Sequence, residues 1–423
     1  MPGPRIELPT IQNWSCHNRG GCCRQHCIEI TEQEQQRIVD QKWTEADGIP
    51  PNQSVIVKYG GLFRKSHYRL AHQPDGACVF LDDQGLCRIH AKLGEDAKPL
   101  ACRIYPYAFH PAGKKVAVSL RFSCPSVVAN LGQPVADQSK NLRQIARQLI
   151  PDGSDNIPPP RISEKEQLDW PDTLRFVAAL DEIFAQSNAS VTYRLLKALS
   201  LIELADQAQF TTVRGERLDD FLAIISEAAE AETPQDLSTL GEPSRLGLLQ
   251  FRLLVAQYAR KDTFAEQSSG WSNRLNLLRA ATRFARRKGV APPLQSAFRE
   301  VAFEKLELSF GGIPEEAEEI FIRYFRVKIQ GLHFFGSAYY DVPLVEGFRS
   351  LAMIFPSVFY LARWLAAGDG RDRLSTDDVA RAIAIADHHH GYSPAFGQGN
   401  FRRRIRNLAK MNDITKLCAW YSR

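Results

Sequence analysis

Along residues 170–290 the apolar positions recur every three or four residues, the period of a helix with one buried face. Leu174, Val177, Leu180 and Phe184 form one such set, and Leu218, Leu222 and Ile225 a second. Leu275, Leu278, Ala281 and Phe284 form a third, with Ser272 as its expected N-cap and Arg286, Arg287 and Lys288 in the last turn before Gly289. Cations suit that end of the helix dipole, and glycine suits the left-handed residue that closes it. Ser375 and Asp378 predict a capping box ahead of VARAIAIAD, with Asp in place of the usual Glu. The period changes to two at Val116, Val118, Leu120 and Phe122, which alternate with Ala117, Ser119 and Arg121. That is a strand, expected to pair with Tyr105–His110 through a turn at Pro111, Ala112 and Gly113.

These patterns predict an α+β chain in two parts. Residues 150–161, IPDGSDNIPPPR, carry three consecutive prolines among turn formers and read as a linker. Before it, 1–149 reads as a small, loop-rich module with short hairpins. After it, 162–423 reads as an irregular α-helical domain without a solenoid period. The longest apolar stretch, Leu351 to Ala362, is broken by Pro356 and falls short of the roughly 20 residues a membrane span needs.

Cysteine placement changes the picture. Eight of nine cysteines lie in the first third: Cys16, Cys22, Cys23, Cys27, Cys78, Cys87, Cys102 and Cys124. The residues MPGPRIELPTIQNW carry no secretory apolar core, so a cytoplasmic, reducing location is expected. There, grouped cysteines point to metal ligation ahead of disulfides or free redox thiols. Eight thiolates suffice for two four-sulfur sites, zinc or iron–sulfur, or for one site with auxiliary thiols. His17, His26, His90 and His110 are interleaved and can replace a thiolate.

Two hairpins are expected to gather these residues. Cys78–Leu81 and Leu86–Ile89 flank a loop at Asp82–Gly85, which would pair Phe80 with Cys87 and set Cys78 and Cys87 on one face, roughly 7–8 Å apart. The turn near Gly113 lies midway between Cys102 and Cys124 and would bring them together at the hairpin's open end. Gly20 and Gly21 permit a tight turn ahead of Cys22 and Cys23, whose side chains are expected to point apart and serve two centres.

Other chemistry is sparse. The net charge of +5 is mild, and the run Arg402, Arg403, Arg404 and Arg406 reads as a solvated helix face, so nucleic acid is not expected. His388–His390 suit a helix C-terminus. Arg103 is a hydrogen-bond donor toward the site or a structural ion-pair partner. The segment from Leu332 to Gly336, with Tyr339 and Tyr340, reads as core, and Cys418 as a buried thiol without a special role. No G-x-G-x-x-G, P-loop, H-E-x-x-H or G-x-S-x-G occurs.

The blocks CHNRGGCCRQHCIEITEQE, GACVFLDDQGLCRIH and KPLACRIYPY, in that order, resemble the CxxCxxCC-type family of zinc- or iron-chelating proteins over roughly residues 14–125. Gly76, Cys78, Phe80 and Leu81 match G-x-C-x-F-L. Cys87, Ile89 and His90 match C-x-I-[HY]. Lys98, Pro99, Cys102, Arg103, Tyr105 and Pro106 match [RK]-P-x-x-C-R-x-[FY]-P. The first block departs from the pattern: only Cys16 precedes the Cys22–Cys23 pair, and Cys27 follows it. The long chain and cysteine order resemble the flagellin lysine-N-methylase branch. That resemblance implies methyl transfer from S-adenosylmethionine to lysine side chains of a protein substrate, with zinc or an iron–sulfur cluster. The residues themselves leave open a non-enzymatic metal-handling protein with a partner-binding helical domain, or a redox accessory protein.

Overall fold

The computed structural model describes residues 5–17, 20–60, 66–151, 153–260 and 271–423, with the side chains of 155 and 271–276 outside the description. It is 54% helix and 10% strand, an α+β chain. Two compact units emerge. The smaller holds residues 15–107, and the larger holds the N-terminal residues to Trp14 together with 108–260 and 274–423. The division thus falls at the start of the strand Tyr107–Ala112, where the sequence suggested a linker near 150.

The reason lies in a three-stranded sheet. Arg5–Glu7 pairs in parallel with Lys115–Leu120, which is central and has Tyr107–Ala112 on its other side. Val116 to Leu120 are all buried, so the alternation of the sequence does not mark a wet face. The helix Glu315–Gln330 covers the strand: Lys328 Nζ donates to Leu120 O at 3.2 Å, and Ser119 Oγ to Val327 O at 3.4 Å. The proline-rich stretch is also tied into this unit. Ile157 O accepts from Trp170 Nε1 at 2.8 Å, and Arg161 O accepts from Leu344 N at 2.9 Å.

The helical periods hold with two differences. Trp170–Ala185 buries Phe176, Val177, Leu180 and Phe184, and Glu216–Glu232 buries Leu218, Leu222 and Ile225. Ser375 and Asp378 form the capping box of Thr376–His389, where Arg371 also grips both Asp378 oxygens, at 2.6 and 2.7 Å. The helix Trp271–Arg286 starts one residue early, so Ser272 is inside it and not its cap; the Ser272 side chain is outside the described residues. Phe284 of that helix is buried, whereas Leu278 is 65% exposed. Pro356 does not break the apolar segment. It falls in the first turn of Ile354–Gly368, where its missing N–H costs no helical bond. With Leu344–Ala352 this gives 25 residues apolar enough to cross a membrane, but 89% of their most apolar window is buried inside the protein. They are core here.

The arginine run is partly structural. Arg402 donates to Glu346 at 2.6 and 3.0 Å, and Arg406 adds bonds at 3.0 and 2.8 Å. Cys418 is buried, its thiol 3.9 Å from Ala352 O. Behind the sheet lies a buried polar network. Lys328 Nζ sits 2.6 Å from Asp387 Oδ1, both side chains fully enclosed, and 3.2 Å from His333 Nδ1. Ser123 N and Tyr324 OH donate to Asp387, and Tyr258 OH meets His390 Nδ1 at 2.9 Å. Removing one member of such a pair typically costs about 3–5 kcal/mol, since the survivor is left charged and dry. Burial, with Lys328 nearby, holds His333 and His390 well below the ordinary histidine range.

Those two histidines stay neutral when folded but take up protons near pH 6.5 when unfolded, so the unfolded state binds more protons below that pH. Stability is therefore complete above pH 6.5 and falls on acidification, by up to about 2.7 kcal/mol per pH unit for the pair. Urea titrations between pH 7.5 and 5 should trace this loss; a flat midpoint over that range would contradict buried neutral imidazoles.

Candidate metal centre

The smaller unit positions its cysteines with turns. Asp75-Gly76-Ala77-Cys78 and Gln84-Gly85-Leu86-Cys87 lie nine residues apart and repeat one hydrogen-bond pattern. In the first turn Gln73 N donates to Ala77 O at 2.7 Å and Gly76 N to Gln73 O at 2.9 Å. In the second Asp82 N donates to Leu86 O at 2.9 Å and Gly85 N to Asp82 O at 3.1 Å. The residue after each cysteine reaches back, Val79 N to Ala71 O and Arg88 N to Phe80 O. Gly76 and Gly85 have φ of 83° and 82°, a region closed to most side chains.

This corrects the expected hairpin. Leu81, not Phe80, bridges Cys87, and Cys78 bridges His72. The Asp82 carboxylate accepts from Gln84 N and Leu86 N, fixing the loop one residue out of the expected register. Beyond Cys87 the chain is helical, Arg88–Leu93, so no second strand forms. Trp43 packs on Phe80 with ring centroids 4.9 Å apart, within a core of Ile30, Ile38, Leu70, Val79 and Ile89.

The turn at Gly20 docks on this frame. A Cβ at Gly20 would meet Leu81 Cδ1 at 3.1 Å and Gly85 O at 3.4 Å, and Gly20 itself has φ 62°. The short helix Gly21–Gln25 follows, and Cys23 O accepts from Cys78 N at 2.8 Å. Cys22 and Cys23 do not point apart as expected: their sulfurs are 3.9 Å apart. Cys102 comes from Leu100–Ile104, whose Leu100 N donates to Glu34 Oε1 at 2.6 Å. Glu34 also completes the capping box of Glu32–Asp40, so one carboxylate fixes both elements.

Electrostatics joins five of these thiols. A hydrogen bond from Cys23 brings Cys22 down to about 7, and the same bond, with burial, drives Cys23 far up. Burial raises Cys78 to about 12, with the charges of Cys87 and Cys22 adding to it. Burial also raises Cys102, then Cys78, Cys87 and Cys22 in turn. Lys98 is the local cation. Burial alone would lower its pKa, but Glu95, Cys16 and Cys87 raise it.

The remaining candidates are placed differently. Cys16 and Cys27 are exposed; burial raises the Cys27 thiol, and Arg69 and Glu29 are the charges it senses. Cys124 belongs to the larger unit, where it caps Pro125–Val128. His17 and His90 are exposed, His26 packs on Tyr105 at 5.1 Å, and His110 lies in the larger unit. Arg103, itself largely buried, reaches the fully exposed Asp96 at 3.6 Å, a long contact of little weight. His72, which sequence reasoning passed over, has its Nδ1 2.8 Å from Arg69 Nη1. The tandem turn was also passed over; its signal was the Gly-x-Cys spacing at Gly76 and Gly85.

Among the described residues, no three Cys, His, Asp or Glu side chains stand close enough together to hold a metal ion as they are placed. The donor chemistry nevertheless suits a thiophilic metal. Four Zn–S bonds of about 2.3 Å in a tetrahedron place sulfurs about 3.8 Å apart, close to the Cys22–Cys23 separation.

Comparison with known proteins agrees with this reading of the smaller unit. No solved structure matches the chain. The lysine-N-methylases of Salmonella choleraesuis and Salmonella typhimurium are each 27% identical over 132 residues, 30% of this chain. The match spans only 31% of their own length. The flagellar biosynthetic protein FliU of Salmonella muenchen is 26% identical over 132 residues, 30% of this chain and 75% of its own. Residues 15–125 match the CxxCxxCC family, described as "Putative zinc- or iron-chelating domain".

Proposed function

We propose that the smaller unit binds zinc or iron through Cys22, Cys23, Cys78, Cys87 and Cys102, and that the chain is a protein-lysine N-methylase using S-adenosylmethionine. The observation that carries the metal reading is the grouping of five thiols, drawn from four separate segments, within range of one another's charge. Thiols raised first by burial and then by one another's charge gain most from a cation that takes their negative charge. Sulfur-rich donors favour zinc or an iron–sulfur cluster over magnesium or calcium. Bound there, the metal would supply positive charge that holds the turns together and a Lewis-acid centre. Five candidate donors exceed the four of a closed tetrahedral site, and Cys16 and Cys27 remain as further candidates within the same unit.

The methylase reading is supported by the matched stretch of the Salmonella lysine-N-methylases, which is confined to about a third of the chain. In the reaction the lysine Nζ lone pair attacks the sulfonium methyl. The C–S bond breaks, S-adenosylhomocysteine leaves, and the amine loses its proton to a base. Among the described residues the sheets have two or three strands, so the donor would not bind through a doubly wound parallel fold. A partner-binding metal protein without activity is the outcome if transfer fails.

Cys102→Ser should remove most bound metal, measured by elemental analysis after anaerobic purification. Hydrogen exchange should then rise across residues 15–107 and stay protected in the helices of the larger unit. Unchanged metal content and unchanged exchange would remove Cys102 from the site.

Incubating the metal-loaded protein with S-adenosylmethionine and a lysine-rich acceptor protein should add methyl groups to lysine, read by mass spectrometry. Metal-stripped protein should be at least about tenfold slower. Absence of methylation from both preparations, across flagellin and unrelated acceptors, would leave the metal-binding reading alone.

A further inference from the structure

A half-open cavity of about 290 Å³ lies in the larger unit, and no cysteine lines it. Its walls come from the proline stretch, the start of Trp170–Ala185, and the turn after Leu332. Pro159, Pro160, Trp170 and Phe335 make it mostly apolar. Trp170 is held in place: Nε1 donates to Ile157 O, and the ring packs against Gly113, where a Cβ would come within 3.1 Å of Cδ1.

The rim carries the polarity. Asp341 is exposed, and among the described residues its carboxylate has no hydrogen-bond or ion-pair partner. It is nonetheless fixed in place, since Asp341 N donates to Gly336 O at 2.8 Å and Gly336 N to Val342 O at 2.9 Å. Tyr340 and Asp341 are consecutive non-glycine residues at φ 51° and 54°, and Leu332 on the same wall is at 56°. Strain of this kind, about 1 kcal/mol or more per residue, tends to be kept where a side chain must be presented. Gly336 is needed for the fit, because a Cβ there would meet Pro160 at 2.9 Å.

His110 lines the cavity and stacks on His333 at 4.8 Å, while among the described residues its Nε2 has no hydrogen-bond partner. Burial, followed by the charge of Lys328, pushes His110 down to about 3, so it is neutral at physiological pH. It neither repels a cation nor neutralises Asp341.

Aromatic faces, proline walls and an unpaired carboxylate at the mouth suit a group that is apolar along its length and positive at its end. We propose that this cavity takes an alkylammonium side chain, that of a lysine or methylated lysine in a protein partner, with Trp170 and Phe335 along its methylenes and Asp341 facing the cation. The assignment of lysine rests on the methylase reading above; the chemistry of the cavity does not. Arg161 on the same wall makes a carboxylate ligand the competing outcome.

The test uses the full-length, metal-loaded protein with n-butylammonium, N-acetyl-lysine methylamide and butyrate as probes, followed by calorimetry and saturation-transfer NMR. Both ammonium compounds should bind and butyrate should not. Asp341→Asn keeps the left-handed backbone, which asparagine tolerates, and removes the charge. It should weaken ammonium binding about tenfold or more, with melting temperature and metal content unchanged. Equal binding by the variant, butyrate binding as tight as ammonium, or no binding at millimolar probe would each overturn the proposal. Methylation is scored separately. If D341N methylates protein lysines with unchanged KM, the cavity is not the lysine site and the methylase reading survives. If ammonium binding depends on Asp341 but wild type transfers no methyl group, the cavity stands and the methylase reading falls.

Discussion

The cysteine-rich unit depends on two left-handed glycines. Gly76 and Gly85 let the chain reverse twice within fifteen residues and return each time to the same hydrogen-bond pattern. Any residue with a Cβ at either position would strain the reversal. Because Cys78 and Cys87 follow those glycines at the same spacing, the turns hold both thiols in equivalent positions. The third turn, at Gly20, then has a ready surface in Leu81 and the Gly85 carbonyl. Thiol placement is thus a property of backbone geometry more than of side-chain packing. The core beneath it is small, with Phe80 as its largest fully buried member and Trp43 and Tyr68 packed against it.

Much of the fold was legible because helices announce themselves by period. The buried sets at Leu180 and Leu222 and the cap at Ser375 could be read from spacing alone. What was not legible depended on partners distant in sequence. Nothing near Val116 says that its strand is central, because that follows from Arg5–Glu7 and from a helix some 200 residues later. The register at Cys87 slipped by one because Asp82 binds two backbone N–H groups, a side-chain effect that alternation does not encode. The proline stretch was read as a linker from composition, yet composition is silent on whether Trp170 and Leu344 bond to it. For the site, the cysteine clustering was plain. The approach of the Cys22 and Cys23 sulfurs to 3.9 Å was not, since it follows from the short helix Gly21–Gln25, which the sequence pattern does not announce.

The two units manage buried charge in contrasting ways. In the larger unit Lys328 and Asp387 compensate each other, and the surrounding imidazoles remain neutral because burial and that lysine leave them no stable protonated form. The grouped thiols of the smaller unit sense Lys98 as a cation, and each thiolate formed makes the next harder to form. One network is complete within the chain; the other leaves its thiols without a matching set of cations.

The parallel pairing of Arg5–Glu7 with Lys115–Leu120 has a consequence for how the chain folds. The two partners are separated by the whole smaller unit, which is therefore an insertion whose entry and exit are both pinned to the larger one. Asn13 bridges Pro134 and Trp14 N donates to Gln133 O at 2.8 Å, reinforcing the entry. Closing a flexible loop of that size costs about 4 kcal/mol from its length alone. A smaller unit that is already collapsed shortens the effective loop and lowers that cost. The strand Arg5–Glu7 must wait for a partner that comes after all but one of the clustered cysteines. Closure of that sheet therefore needs the segments on both sides of the smaller unit, and cannot precede synthesis of that unit.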